Sequence, residues 1–99
     1  MLTINDLRGQ IEDEILRKLE VLKVNAVSKF NLKYINLDKI LQNLSKEAKI
    51  TCLVLSEHKI DNITEILKKR NAISPKTSII VMLSSKIGED DIIIATVKE

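Results

Sequence analysis

Three helix-type and four strand-type patterns of apolar residues alternate along the chain. The last three strand-type runs are almost entirely apolar: Ile50–Leu55, Ile79–Leu83 and Ile92–Val97. A strand that is apolar on both sides must be covered on both faces, which is typical of layered α/β domains. The pattern therefore predicts an α/β fold, with α+β as the alternative, in a single domain spanning residues 1–99.

The first helix is predicted from about Asn5 to Val24, because one stripe of its surface is apolar at helical spacing. Thr3 and Asp6 form the pattern of a capping box at its start. The stripe consists of Ile4, Leu7, Ile11, Ile15, Leu19 and Leu22. A stripe this wide could cover the helix's own sheet or meet a second copy of the chain, and both alternatives stay open at this point.

Polar and apolar residues alternate over Val27–Tyr34, which predicts a one-sided strand at a sheet edge. The two faces of this strand carry Phe30, Leu32 and Tyr34 on one side and Lys29, Asn31 and Lys33 on the other. Lysines on an edge strand discourage pairing with another sheet. A continuation of the first helix is the competing interpretation.

The remaining chain predicts two helices and three strands. Asn36 is expected to cap a helix that ends near Ala48, and a third helix is expected to begin near Asp61 or Asn62 and to end around Arg70 and Asn71. Eight residues link the last two strands, and so short a link is typical of antiparallel neighbours. The predicted order is α-β-α-β-α-β-β: a four-stranded mixed sheet covered by three helices, with right-handed crossovers and a C-terminal β-hairpin.

The amino-acid composition suggests either adaptation to high temperature or an AT-rich genome. Ile, Leu and Val supply 35 of the 99 residues, and 30% of the chain is charged. An aliphatic core with many ionic groups is typical of heat-tolerant proteins, whereas an AT-rich genome would enrich Ile, Lys and Asn without any physical advantage. The net charge of +2 excludes a globally basic nucleic-acid binder, so that a basic site would have to be local.

The expected location is intracellular. Cys52 is the only cysteine, which excludes an intramolecular disulfide and fits a reducing compartment. The start of the chain lacks the pattern of a secretory signal, and no run approaches the roughly 20 apolar residues of a membrane span. The sequence thus predicts neither secretion nor membrane insertion.

No group of residues specifies a reaction, so we expect no enzymatic activity, no metal and no cofactor. Ser56 and His58 follow a predicted central strand, at the end of a sheet where ligands of open α/β proteins bind. They are candidates for a small-molecule site, although a solvated loop is the simpler interpretation.

The candidate nucleic-acid contacts are Lys29, Lys33, Lys68, Lys69 and Arg70.

In length and in its Ile/Lys/Asn-rich, Gly-poor style, with runs such as Lys76–Leu83, the chain resembles small uncharacterised proteins of crenarchaeal filamentous and rod-shaped viruses. This resemblance implies a hyperthermophilic, acid-tolerant viral protein acting in the host cell or the virion. From Lys33 to Leu83 the order of elements is also similar to the ribosomal kink-turn-binding family, which reads RNA with a Gly and an Asn-Glu pair. Asn36 and Asp38 stand in that place and the glycine is absent, so no RNA-contacting residue is carried over.

The sequence therefore predicts a small non-enzymatic protein that acts by binding or assembly. Its expected partner is a second copy, docked through the N-terminal helix or through a sheet edge. The alternative is an RNA- or DNA-binding module that uses the basic residues named above.

Overall fold

In the computed structural model, one four-stranded sheet carries helices on both faces. The structure describes residues 2–44, 46–73 and 76–98, except for the side chains of residues 71–73. The helices are α1 (Asp13–Val21), α2 (Leu37–Leu44) and α3 (Ile60–Ile73), with 3₁₀ turns at Asn5–Leu7 and Glu57–Lys59. The strands are β1 (Ala26–Asn31), β2 (Ala48–Ser56), β3 (Ser78–Ser84) and β4 (Asp91–Lys98). The predicted α/β class and order of helices and strands are confirmed.

The strands lie in the order β1-β4-β2-β3. β2 and β3 are parallel, and β4 is antiparallel to both β1 and β2. Within the described residues the sheet is thus mixed with β4 as its one antiparallel strand, as predicted. The predicted C-terminal β-hairpin is wrong, because β4 pairs with β1 and β2 rather than with β3. Ile94, for example, lies opposite Ser28 on one side and Leu53 on the other.

The link between β3 and β4 is long enough to pass across the end of β2. Neighbouring strands lie about 4.8 Å apart, so the start of β4 is only about 10 Å from the end of β3. The link, residues 85–90, could span about 20 Å when extended. The burial of apolar side chains favours a position for β4 inside the sheet rather than at its edge. Residues 92–96 are all buried, and an interior strand is covered on both faces and both edges.

The two faces of the sheet carry separate apolar clusters. α1 contributes Ile15, Leu16 and Leu19 to one cluster. α2 and α3 contribute Leu37, Leu41 and Ile63 to the other. The crossovers β1-α2-β2 and β2-α3-β3 step along the sheet in the same direction and place their helices on the same face, so they share one handedness.

The first helix is shorter than predicted. α1 begins at Asp13 because Gly9, with a positive φ of 87°, interrupts helical geometry before it. Thr3 and Asp6 do form the reciprocal bonds of the predicted capping box: the Thr3 N–H donates to Asp6 Oδ2 at 2.8 Å, and the Asp6 N–H donates to Thr3 Oγ1 at 3.3 Å. These bonds lie at the 3₁₀ turn Asn5–Leu7 and not at the start of α1.

β1 lies at a sheet edge, as predicted, but ends at Asn31. Phe30 and Leu32 pack against the cluster under α2 and α3. Tyr34 lies in the following turn and is 85% exposed, so its predicted place on their face is wrong. The cap at Asn36 is confirmed, because its Oδ1 accepts the backbone N–H two residues later at 2.9 Å.

Alanine substitution tests the burial of β4. Ile93 is fully buried between β1 and β2, and we expect Ile93→Ala to lower the free energy of unfolding by about 2–5 kcal/mol through lost burial and a residual cavity. Ile60 on α3 is 49% exposed, and Ile60→Ala, the matched control, should cost about 0.5 kcal/mol. Equal losses in urea unfolding would contradict the central position of β4.

Candidate functional site

β3 forms an edge of the sheet without the usual protection. It has β2 on one side, and no strand of the described chain pairs with its other side. Alternate residues of such a strand direct backbone N–H and C=O groups outward, ready to pair with another strand. Ser78–Ser84 contains no charged residue and no proline, whereas the opposite edge strand β1 carries the exposed Lys29. The free edge of β3 is therefore better suited than that of β1 to pair with a further strand.

A groove between α1 and β3 adjoins this edge. Its volume is about 510 Å³, and it is lined by Glu14, Arg17, Lys18, Val21, Leu22, Ile80, Val81 and Met82. Val21 is 80% exposed and Ile80 is 36% exposed, so large aliphatic side chains face solvent from both walls. Acidic and basic side chains lie side by side on the rim, where Lys18 Nζ is 3.6 Å from Glu14 Oε1. We call this surface, together with the outer side of β3, the β3 edge surface.

Most of the predicted apolar stripe of the first helix covers its own sheet. Ile15, Leu16 and Leu19 are buried in the cluster on that face. Leu22 is half-buried against it, and Val21 points away from it. Of the two predicted docking elements, α1 is thus largely satisfied within the chain, and its exposed end belongs to the β3 edge surface.

Ser56 and His58 do not form a shared pocket. Ser56 is buried at the end of β2, and its Oγ accepts the His58 backbone N–H at 3.4 Å. The His58 side chain is exposed in the following 3₁₀ turn. The Ser56 hydroxyl group is therefore buried and hydrogen-bonded to the backbone of the 3₁₀ turn, while the His58 imidazole lies in solvent. Neither residue lines the groove that lies nearby at the same end of the sheet.

That nearby groove, of about 370 Å³, contains an ion-pair triad. Asp90 lies between Lys59, at 3.0 Å, and Lys33, at 3.5 Å. The hydrogen bond from Lys59 is the main reason why the pKa of Asp90 lies below its ordinary value. Because the three residues belong to the β1–α2 turn, the 3₁₀ turn before α3 and the β3–β4 link, the triad joins three loops. Its net charge is +1, because one carboxylate faces two ammonium groups.

The candidate nucleic-acid contacts do not form one basic patch. Arg70 is only 1% exposed, so its predicted role as a surface contact is wrong. Lys33 is paired with Asp90, and Lys29 Nζ donates to Gln10 Oε1 at 3.2 Å. Lys68 and Lys69 are exposed on α3, a different element from the strand that carries Lys29. The structure therefore distributes these residues over separate surfaces.

Glu12 forms a clamp that sequence reasoning missed. Its carboxylate accepts three hydrogen bonds: from Ser84 Oγ at 2.5 Å, from Ser85 Oγ at 2.8 Å and from the Ser85 N–H at 2.9 Å. The Ser84 bond is the largest cause that lowers the pKa of Glu12 to about 2. The clamp joins the start of α1 to the end of β3, and so fixes one end of the groove between them. No local pattern could reveal it, because 72 residues separate Glu12 from Ser84.

Comparison of the chain with family models, with curated proteins and with solved structures found no match. Across the described residues, no helix is both long and apolar enough to cross a membrane. The same residues contain no group of three His, Cys, Asp or Glu side chains arranged to hold a metal ion.

The Glu12 clamp predicts a pH-dependent contribution to stability. The folded-state pKa of about 2 lies below the usual value of 4.5, so the unfolded chain binds more protons between these values, and this part of the stability is lost as pH falls from 4.5 towards 2. Glu12→Gln should unfold at lower urea concentration than the unmodified protein at pH 6, with the difference shrinking towards pH 2.

Glu20→Gln is the matched control, because Glu20 is an exposed glutamate on α1 that lies outside the β3 edge surface. A difference for Glu12→Gln that stays constant from pH 6 to pH 2 would contradict the ionised clamp.

Proposed function

We propose that this chain is a small non-enzymatic protein that acts by assembly, with a second copy of itself on the β3 edge surface. One observation supports this above all: an uncharged edge strand lies beside an apolar groove, while the other edge carries a lysine. Exposed apolar edge strands without charges or bulges are the sites at which sheets pair with further strands.

The charges on the rim support a second copy as the partner. Glu14 lies beside Arg17 and Lys18 along the groove, so the same surface offers both signs of charge. In an isologous interface a surface meets itself, and a surface of mixed sign can then place opposite charges against each other. A strongly one-signed rim would instead disfavour self-association.

The size of the chain gives a further reason. A domain of 99 residues buries only about two-thirds of the surface of its unfolded chain. Covering Val21, Ile80 and the outer side of β3 would enlarge the apolar core without lengthening the chain. Each fully covered aliphatic side chain is worth about 1.5–3 kcal/mol relative to full exposure.

Mass measurement by light scattering tests the assembly. The unmodified protein should have the mass of a dimer, and Ile80→Lys should reduce it to a monomer because a charged side chain would be placed in the interface. Ser28→Lys introduces the same side chain at an exposed position of β1, the other edge strand, and should leave the dimer intact.

Val21→Glu is a second disrupting variant, chosen because Val21 is exposed and its replacement disturbs no buried contact. We expect it also to weaken the dimer. A monomeric unmodified protein at concentrations near 0.1 mM, or a dimer that survives both substitutions, would contradict the proposal.

We also propose that the protein is viral, intracellular, heat-tolerant and acid-tolerant. Its length and its Ile/Lys/Asn-rich composition support the viral origin, and the single buried cysteine fits a reducing compartment. Acid tolerance is proposed from the resemblance alone, because the Glu12 clamp loses its contribution to stability as pH falls towards 2.

Thermal unfolding tests whether the Ile/Lys/Asn-rich composition reflects heat adaptation or an AT-rich genome. A heat-adapted protein should have a Tm above roughly 90 °C, the threshold for hyperstable domains. A Tm between about 45 and 65 °C, where mesophilic domains cluster, would assign the composition to an AT-rich genome instead. The scan should be run at several protein concentrations, because a dimer's Tm depends on concentration.

A further inference from the structure

The sequence of β3 is nearly the same in both directions. It reads Ser-Ile-Ile-Val-Met-Leu-Ser, with Val81 at its centre. Residues at equal distances from Val81 have the same character: Ser78 with Ser84, Ile79 with Leu83 and Ile80 with Met82. A strand of this kind presents the same succession of side chains to a second copy that runs the opposite way.

We propose that two copies pair their β3 strands in antiparallel orientation about a two-fold axis at Val81, forming one continuous eight-stranded sheet. This inference rests on the assembly proposed above and specifies its geometry. In this register each serine lies opposite a serine and every apolar residue opposite an apolar residue of the second copy. Aliphatic pairs directly opposite each other stabilise an antiparallel ladder.

The faces of the two sheets also match in this register. Met82 belongs to the cluster under α1, and Ile80 lines the groove beside it. Ile79, Val81 and Leu83 belong to the cluster under α3 on the other face. In an antiparallel pair, directly opposite residues share one face, so Ile80 meets Met82 of the second copy on the α1 side. The two exposed Val21 side chains then lie on the same face of the joined sheet.

Other registers fit less well. A shift by one residue would place Val81 opposite Met82 and so pair side chains that belong to opposite faces. A shift by two residues would place Ser84 opposite Ile80, losing apolar contact at both ends of the ladder. A parallel pairing about a two-fold axis along the strands would turn the α1 faces of the two copies to opposite sides, and would place the same residue of the two copies on opposite faces of the joined sheet.

Cysteine cross-linking tests this geometry. Self-paired Val81 residues would have Cα atoms about 4.5–5.5 Å apart, within the range that a disulfide spans. Under mild oxidation with oxidised glutathione, Val81→Cys should therefore double in mass on a non-reducing denaturing gel. The unmodified protein is the control for Cys52, which is fully buried and whose thiol pKa is raised by that burial.

Ile79→Cys is the matched control, since it lies on the same face as Val81. In the proposed register the two copies of residue 79 are about 14 Å apart along the ladder, and no disulfide can form. Mixing Ile79→Cys with Leu83→Cys should give a cross-linked heterodimer, because those two positions lie opposite each other. Self-cross-linking of Ile79→Cys would instead overturn the proposed register.

A second measurement avoids substitutions in β3. In a dimer mixed from differently labelled copies of the unmodified protein, methyl groups of Ile80 and Met82 should show nuclear Overhauser contacts between copies. A protein that is monomeric by light scattering would end both the assembly proposal and this inference. A dimer without these contacts, or one in which Val81→Cys folds and does not cross-link, would leave assembly standing and overturn the register alone.

Discussion

The position of β4 between β1 and β2 is the constraint on which the rest of the structure depends. Its buried residues 92–96 need cover on both faces and a neighbour on both edges, and only the centre of the sheet provides all of these. With β4 in the centre, β3 becomes an edge. The apolar residues of β3 then lie beside solvent, and the side chain of Ile80 stays partly uncovered. The proposed assembly surface is thus a consequence of strand order.

Polar contacts between distant parts of the chain shape the two ends of this arrangement. Glu12 joins the start of α1 to the end of β3 through three hydrogen bonds, and so determines how α1 lies over the edge strand. Asp90 joins the β3–β4 link to the 3₁₀ turn before α3 and to the β1–α2 turn. The carboxylates of Glu12 and Asp90 thus hold distant parts of the chain together. Neither of them lines the groove that has Val21 and Ile80 on its walls.

Periodicity predicted the kinds of elements because each helix or strand buries its apolar residues at its own spacing. It could not predict the strand order, since β2, β3 and β4 are similarly apolar. The link before β4 is also long enough for β4 to lie either beside β3 or across β2 from it. Contacts across long stretches of sequence, such as Glu12 with Ser84, leave no local pattern. The burial of Arg70 was missed for a related reason: its last-turn position also fits a solvated cation that complements the helix dipole. Gly9 was the one visible signal that the first helix begins late.

The most direct test of the strand order is the set of backbone nuclear Overhauser contacts made by β4 in solution. We expect Ile93 to contact Lys29 of β1 on one side and Val54 of β2 on the other. Contacts of Ile93 with β3, together with none to Lys29, would place β4 at the edge and would remove the basis for assembly through β3.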